Sequence, residues 1–192
     1  MRQINFPSEH RRLLKEIGRM AAKYKYSAYL VGGPVRDLLL GRTSQDIDIV
    51  CIGNAVKLAR KFEKKVSGDL IKHHEFPNAT VKWSGGKIDF VTARSEEYPD
   101  DRVGLPKVEK TDDITVDLER RDFTVNAIAC ALNPGEFGSI IDPFSGLRDC
   151  NKRLIRVLHE NSFKEDPTRI FRAIRFVMNL SFNLEKETEK YL

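Results

Sequence analysis

Residues 30–50, LVGGPVRDLLLGRTSQDIDIV, combine a double glycine with two closely spaced carboxylates. Apolar and turn-forming residues alternate here in a way that predicts a strand, a turn, a short helix and a second strand, over residues 28–31, 32–33, 34–40 and 46–52. Pro34 suits the first turn of the helix and Gly41 its end. A chain that contains this unit must fold as a mixture of helices and strands.

The second strand carries the two carboxylates. Asp46 and Asp48 alternate with Ile47, Ile49 and Cys51, so on a strand the aspartates share one face and the apolar residues share the other. Two carboxylates on one face repel each other unless a cation lies between them. Mg²⁺ takes oxygen ligands and is usually shared between carboxylates and phosphates. The alternative is an exposed strand face with two solvated aspartates.

The glycine turn adds an anion-binding feature. Backbone N–H groups at a turn and a helix start suit phosphate, and Arg36 lies in the first turn of the predicted helix. A glycine pair alone is weak evidence, because turns need glycine anyway, and no P-loop motif is present. Asp89, between Ile88 and Phe90, is a third metal-ligand candidate, and its alternative role is a charge on an edge strand that limits aggregation.

The rest of the chain predicts an irregular order of elements. Amphipathic or apolar patterns predict further helices over residues 9–24, 54–66, 120–132 and from 165 onward, the first capped by Ser8. Strands are predicted over residues 69–74, 79–83, 87–93, 138–143 and 153–158, and a long loop over residues 94–116. Strands and helices do not alternate regularly, which favours an α+β fold with a mixed sheet.

The composition of the chain says less about its binding partners than the motifs do. The 192 residues have a formal net charge of +5 and a pI of about 9.1, which permits a polyanionic partner without requiring one. The three cysteines form no Cys-x-x-Cys pair, which is typical of reduced thiols in a cytoplasmic protein. Since no apolar run approaches the length of a membrane span, we expect no membrane partner.

Five ordered motifs carry a family resemblance, namely GGPVRDLLLG, DIDIV, IDFVTAR, RRDFTVNAIA and EDPTRIFRAIRF. In identity, order and spacing they resemble the class II tRNA nucleotidyltransferase and bacterial poly(A) polymerase family. The resemblance implies a polymerase-β-like nucleotidyltransferase head with a mixed sheet, over residues 1–150, followed by the start of an α-helical neck, over residues 151–192. It also implies body and tail regions beyond these residues, so we expect the chain to be part of a longer protein.

The resemblance also implies roles for individual residues. It makes Asp46 and Asp48 the Mg²⁺ ligands, and we predict from the strand context that Asp89 joins them as a catalytic carboxylate. The residues that match the nucleotide-binding motifs are Gly33, Arg36, Arg121, Asp122, Asn126, Asp166, Arg169, Arg172 and Arg175. The implied reaction adds C or A nucleotides from CTP and ATP to the 3′ end of tRNA by two-metal phosphoryl transfer, with release of pyrophosphate.

Asp166 and Arg169 are the implied base-reading pair, and their chemistry supports this role. A carboxylate only accepts hydrogen bonds, so it complements the exocyclic amino groups of cytosine and adenine and repels the carbonyl oxygens of guanine and uracil. Arg169 only donates, so it complements ring nitrogen and carbonyl acceptors. The alternative is a solvated helix face, because Asp166, Arg169, Arg172 and Arg175 recur every three residues.

Several activities fit these motifs. Complete CCA addition, or part of it, is the leading hypothesis, and A-only addition or poly(A) tailing is the second. A nucleotide-binding module without activity is a third, which the presence of every implied catalytic position disfavours. A general nucleic-acid-binding domain lacks the expected aromatic platform, and Trp83 is the only tryptophan. DNA is not an expected partner.

Overall fold

The computed structural model describes residues 4, 6–42, 46–73, 77–98 and 105–192. Its helices are α1 (Ser8–Lys23), α2 (Gly33–Leu39), α3 (Ala55–Val66), α4 (Ile114–Glu119), α5 (Gly146–Lys152), α6 (Ser162–Glu165), α7 (Thr168–Leu180) and α8 (Lys186–Lys190). Its strands are β1 (Ser27–Val31), β2 (Asp48–Ile52), β3 (Asp69–His73), β4 (Asn78–Trp83), β5 (Gly86–Thr92), β6 (Arg94–Glu97), β7 (Lys107–Lys110), β8 (Ala129–Ala131), β9 (Ile140–Ile141), β10 (Leu154–Ile155) and β11 (Asn183–Leu184). No helix within the described ranges has the length and apolar character needed to cross a bilayer.

A seven-stranded sheet organises the described residues, in the order β3-β4-β5-β2-β1-β8-β9. The central β2–β5 pair is parallel, and the other neighbours in this sheet are antiparallel. The predicted α+β fold with a mixed sheet is therefore confirmed. Short two-stranded pairings join β6 to β7 and β10 to β11.

The two faces of the sheet have different coverings. On the first face, Ile49 and Phe90 belong to the main apolar core together with residues of α1 and α3, and the Phe62 and Phe90 ring centroids lie 5.6 Å apart. On the second face, Val50 packs in a smaller cluster with Leu118 of α4. Since side chains alternate along a strand, Asp48 lies on this second face. The isoleucines beside the aspartates, which were predicted to share the opposite face of the strand, are buried.

The helix predicted over residues 120–132 is wrong. A short 3₁₀ turn, Thr124–Asn126, leads instead into β8, which pairs with β1 inside the sheet. Cys130 packs in the main core, whereas Ala129 packs in the smaller cluster on the second face. Because both faces of β8 are buried, its sequence shows a continuous apolar run instead of the alternation typical of a strand.

Other differences are local. The segment predicted as a loop over residues 94–116 contains the β6–β7 hairpin and the start of α4, and residues 99–104 lie outside the described ranges. Helix α1 begins at Ser8 itself, and the preceding Pro7 supplies no side-chain cap. Helix α5 was not predicted. The strands predicted over residues 138–143 and 153–158 are shorter, as β9 and β10.

Helix α7 differs from the prediction at its start and on its surface. It begins at Thr168, so Asp166 precedes the helix and does not extend the stripe of arginines. Ala173 packs in the core. Ile174 is 54% exposed, and Phe171 on the same helix is 74% exposed.

Candidate active site

A cleft of about 520 Å³ lies on the second face of the sheet and brings most of the predicted site residues together. Eleven of the twelve line it, namely Gly33, Arg36, Asp46, Asp48, Arg121, Asp122, Asn126, Asp166, Arg169, Arg172 and Arg175. Asp89 is the exception, but it is the register partner of Asp48 across the parallel β2–β5 pair. The cleft therefore joins carboxylates from the sheet with arginines from the segments that follow it.

A lysine ammonium group lies between two of the three carboxylates. Lys87 Nζ is 3.5 Å from Asp46 Oδ1 and 3.6 Å from Asp89 Oδ2. The Thr80 hydroxyl of the neighbouring β4 strand donates a hydrogen bond to Asp89 Oδ1. Asp46 precedes β2 and its side chain is 71% exposed, whereas Asp48 begins the strand. Asp46 and Asp89 thus both face a position that a cationic group already occupies.

The electrostatics of these carboxylates show an excess of negative charge. Burial raises the pKa of Asp48, the charges of Asp89 and Asp46 raise it further, and Arg121 opposes the shift. The charges of Asp89 and Asp46 also raise the pKa of Lys87, Asp89 having the larger effect. A divalent cation fits such a donor set, with the remaining ligands supplied by water and phosphate oxygens. Within the described ranges, no group of three or more Asp, Glu, His or Cys side chains is arranged so that it could hold a metal ion by itself.

The glycine turn lies beside these carboxylates. Gly32 has a φ of 71°, and a Cβ atom built on it would lie 2.9 Å from Arg121 Nη1. Gly33 has no positive φ, and a Cβ atom added there would meet only Arg36 Nη2, at an ordinary contact of 3.6 Å. Gly32 is therefore the residue of the pair that has to be glycine, because it allows the Arg121 guanidinium to approach the backbone.

A chain of hydrogen bonds connects α2 to α7 through the RRDFTVN segment. Arg36 Nη1 donates to Asn126 Oδ1 at 2.6 Å, and Asn126 Nδ2 donates to Asp122 Oδ1 at 2.9 Å. Arg172 Nε and Nη2 donate to Asp122 Oδ2 at 2.8 and 2.6 Å. The Arg36 and Arg172 guanidinium carbons lie 5.2 and 5.6 Å from the centroid of the Phe176 ring. These contacts fix two cationic groups at defined places in the cleft.

A buried carboxylate holds a second pair of arginines. Asp117 is fully buried, and its Oδ1 accepts hydrogen bonds from Arg120 Nε and Nη2 at 3.1 and 2.9 Å. Its Oδ2 accepts from Arg121 Nη2 at 3.1 Å. Burial lowers the pKa of Arg121, and the charge of Asp117 opposes the shift. Arg121 Nε is buried with no hydrogen-bond partner among the described residues.

Asp166 and Arg169 lie close together but in different surroundings. Asp166 Oδ1 accepts hydrogen bonds from Thr168 N and Oγ1 at 2.9 and 2.6 Å, so the carboxylate caps the start of α7. Arg169 is 4% exposed, and its Nη1 donates to Ser162 Oγ at 2.7 Å. Arg169 Nε lies 3.9 Å from Asp166 Oδ2. Both residues line the cleft, with the carboxylate the more accessible of the two.

Five cleft residues were not predicted as site residues: Gly32, Glu96, Tyr98, Arg120 and Phe176. Gly32, Arg120 and Phe176 belong to motifs that were recognised, so their neighbours could have suggested them. Glu96 and Tyr98 lie in the segment predicted as a loop, and β6, which contains Glu96, pairs with β7. Glu96 Oε1 accepts a hydrogen bond from Arg120 Nη1 at 3.2 Å, a contact that no local sequence pattern signals.

The family profile of the poly(A) polymerase head domain matches residues 28–156, which contain the glycine turn, the carboxylates and the RRD segment. The chain belongs to this family. It is 43% identical over 184 residues to the A-adding tRNA nucleotidyltransferase of Halalkalibacterium halodurans, covering 94% of this chain and 42% of the relative. Other curated relatives are named CCA-adding enzyme, such as that of Lactobacillus gasseri, at 40% identity over 86% of this chain and 40% of the relative.

Solved structures of related proteins share the fold. A CCA-adding enzyme in its apo form II superposes with a TM-score of 0.92 at 41% identity, covering all of this chain and 46% of that chain. The chain thus spans less than half the length of these relatives. Nucleotidyltransferases of this family generally use divalent metal ions.

Proposed function

We propose that the chain is the head and the start of the neck of a nucleotidyltransferase that adds A, C or both to the 3′ end of tRNA. The single observation that carries the proposal is the cleft, in which carboxylates of the sheet and arginines of the RRD segment and α7 face one space. The relatives named A-adding and CCA-adding enzymes support it. A related tRNA nucleotidyltransferase structure holds a primer tRNA and an incoming ATP analog, at a TM-score of 0.81 and 42% identity over 91% of this chain and 48% of that chain.

In this proposal the carboxylates bind the metal ion and the arginines orient the triphosphate. Asp46 and Asp48, with Asp89 beside them, hold Mg²⁺, which when bound neutralises triphosphate charge and favours the ionised 3′-hydroxyl. Arg36 and Arg121 orient the triphosphate, because both guanidinium groups are fixed beside the glycine turn. The 3′ oxygen forms a bond to the α-phosphorus, the bridging P–O bond breaks, pyrophosphate leaves, and the hydroxyl proton passes to solvent.

In this proposal, Asp166, which precedes α7, and Arg169, in the first turn of α7, select the base. Asp166 is accessible in the cleft and accepts hydrogen bonds, so it favours the amino groups of adenine and cytosine. Arg169 is held by Ser162 and by the Arg120 carbonyl, so its position is set before a nucleotide arrives.

We assign residues 1–150 to the head and residues 151–192 to the start of the neck. We place the activity in the cytoplasm, where tRNA is processed and where the three buried free cysteines stay reduced.

The test measures incorporation of each labelled nucleotide separately. tRNA transcripts that end before CCA, after C, after CC and after CCA, and an unrelated RNA, separate CCA addition from CC-only, A-only and poly(A) addition. Asp46→Ala and Asp48→Ala should each abolish incorporation, with an unchanged circular dichroism spectrum. The matched control is Asp69→Ala, on the edge strand β3. Near-normal turnover in either site variant contradicts the carboxylate assignment.

Two further outcomes separate the alternatives. Asp166→Ala should weaken discrimination among the four nucleotides, so that GTP and UTP are incorporated measurably. If the variant still rejects both, Asp166 does not read the base. If a longer protein that includes the body and tail regions binds ATP or CTP but incorporates neither into any RNA, it is a nucleotide-binding protein without activity and the proposed reaction is wrong.

A further inference from the structure

Positive charge is concentrated in two helices, α1 and α3, which lie away from the active-site cleft. Helices α1 and α3 carry ten of the 33 lysines and arginines and only three of the 28 acidic residues. The formal net charge of the whole chain is +5, so the rest of the chain is slightly acidic. The basic character of the protein therefore comes from one surface and is not spread evenly.

This surface lies on the opposite side of the sheet from the proposed active site. Helices α1 and α3 pack on the face that carries Ile49 and Phe90, whereas Asp48 and Asp89 belong to the other face. A nucleotide bound by the aspartates cannot reach the helices through the sheet. The charges of α1 and α3 are therefore not explained by the triphosphate.

The two helices enclose a cleft of about 550 Å³ between them. Its lining consists of Glu16, Met20, Lys23, Tyr24, Lys61, Lys64 and Lys65. Glu16 is the only carboxylate in this lining, and Lys65 Nζ neutralises it at 2.6 Å. Lys61 and Lys64 form no ion pair with the residues that the structure describes. They follow one another within a helical turn, so their ammonium groups face the same side.

One aromatic residue, Tyr24, contributes to the lining of this cleft. The rings of Tyr24 and Tyr26 stack with centroids 5.7 Å apart, and Lys57 Nζ lies 4.5 Å from the Tyr24 centroid. From Lys57 to Lys64 the α3 helix rises about 10 Å, which is long enough for a row of ammonium groups to contact more than one phosphate. A basic groove with aromatic side chains is the arrangement that follows a nucleic-acid backbone.

We propose that the α1–α3 cleft is a second RNA-binding surface, which contacts the phosphate backbone of the substrate RNA away from its reacting 3′ end. The inference rests on the proposed function in that it takes RNA as the substrate. It assigns the lysines a role in substrate affinity, separate from nucleotide binding in the active-site cleft.

The test compares two triple variants with the same change in charge. Lys23→Gln, Lys61→Gln and Lys64→Gln together alter the cleft, and Lys152→Gln, Lys186→Gln and Lys190→Gln form the control outside it. Fluorescence anisotropy measures the Kd of labelled tRNA lacking its 3′ CCA at several KCl concentrations, without nucleotide. Each lost phosphate contact makes the slope of log K against log salt shallower by about 0.7 to 0.9. We expect the cleft variant to bind on the order of tenfold more weakly, with a slope shallower by about 2 to 3.

Two results overturn the inference: an unchanged Kd and slope in the cleft variant, or an equal loss in the control variant. Vesicles containing phosphatidylserine serve as a parallel probe, and lysine-dependent vesicle binding with unchanged RNA affinity assigns the cleft to a lipid surface instead. These results are independent of the proposed reaction. If the wild-type chain incorporates nucleotides while the cleft variant binds RNA normally, only the second surface is wrong. If incorporation fails while RNA affinity depends on the lysines, only the reaction is wrong.

Discussion

Replacing Gly32 by alanine tests how the glycine turn serves the site. The backbone of Gly32, with φ 71° and ψ −134°, lies in a region that residues with a Cβ rarely adopt. Holding alanine there costs about 1–3 kcal/mol. The new Cβ would lie 2.9 Å from Arg121 Nη1, so the guanidinium must also move. That movement strains its 3.1 Å hydrogen bond to Asp117, at a cost of about 1 kcal/mol. We expect a loss of about 2–4 kcal/mol in the free energy of unfolding.

Two other glycines provide matched controls. Gly41 also has a positive φ, 70°, but nothing lies within 4 Å of its added Cβ, so Gly41→Ala shows a positive-φ cost of about 1–2 kcal/mol without any side-chain contact. Gly33→Ala meets only an ordinary contact and should change stability by less than about 0.5 kcal/mol. Urea unfolding measures all three, and incorporation assays measure the KM for ATP and CTP. Gly32→Ala should raise this KM more than Gly41→Ala does. If the two variants are equal in both stability and KM, the contact with Arg121 does not matter.

Three further predictions concern buried polar groups. Asp117→Asn removes the buried carboxylate that both guanidinium groups contact and leaves Arg120 with Glu96 alone, so urea unfolding should show a loss of about 3 kcal/mol, and an unchanged midpoint contradicts the network. Asp122→Asn weakens the bond to half-exposed Arg172 and should cost about 1 kcal/mol by thermal unfolding; stability equal to wild type refutes it. Burial raises the pKa of all three cysteine thiols from 9.0 to about 12, so the unfolded chain ionises first. Stability present below pH 9 should therefore fall between pH 9 and 12, and less steeply in Cys51→Ala.

The parts of the fold that were predictable from sequence are those with one buried face. Around Asp46 and Asp48 the apolar residues alternate with polar ones, so the strand and the shared face of the aspartates could be read directly. β8 has no such alternation because it is buried on both faces, and a helix was predicted in its place. The β6–β7 hairpin is charged and half exposed, so its strands carry no apolar pattern either.

Site residues that belong to local sequence motifs were predictable, whereas residue pairs that only tertiary packing brings together were not. The sequence resemblance identified the arginines, but the partners that fix them are distant along the chain. Asp122 receives two hydrogen bonds from Arg172, fifty residues away, and Glu96 receives one from Arg120, 24 residues away. Such pairs arise from the packing of α4, β6 and α7 around the cleft, which no period in the sequence encodes.

These long-range pairs also constrain how base selection relates to the reaction. Arg172 binds Asp122, and Arg169 donates to the Arg120 carbonyl, so α7 is attached at two points to the segment that carries Arg121. Arg121 lies in turn against Gly32, next to the carboxylates. A displacement of α7 large enough to admit a different base must therefore break charge-assisted hydrogen bonds or shift the residues proposed to orient the triphosphate. Under the proposed function, we therefore expect a mismatched base to weaken phosphate positioning as well as base contacts, so that selectivity acts on the rate as well as on binding.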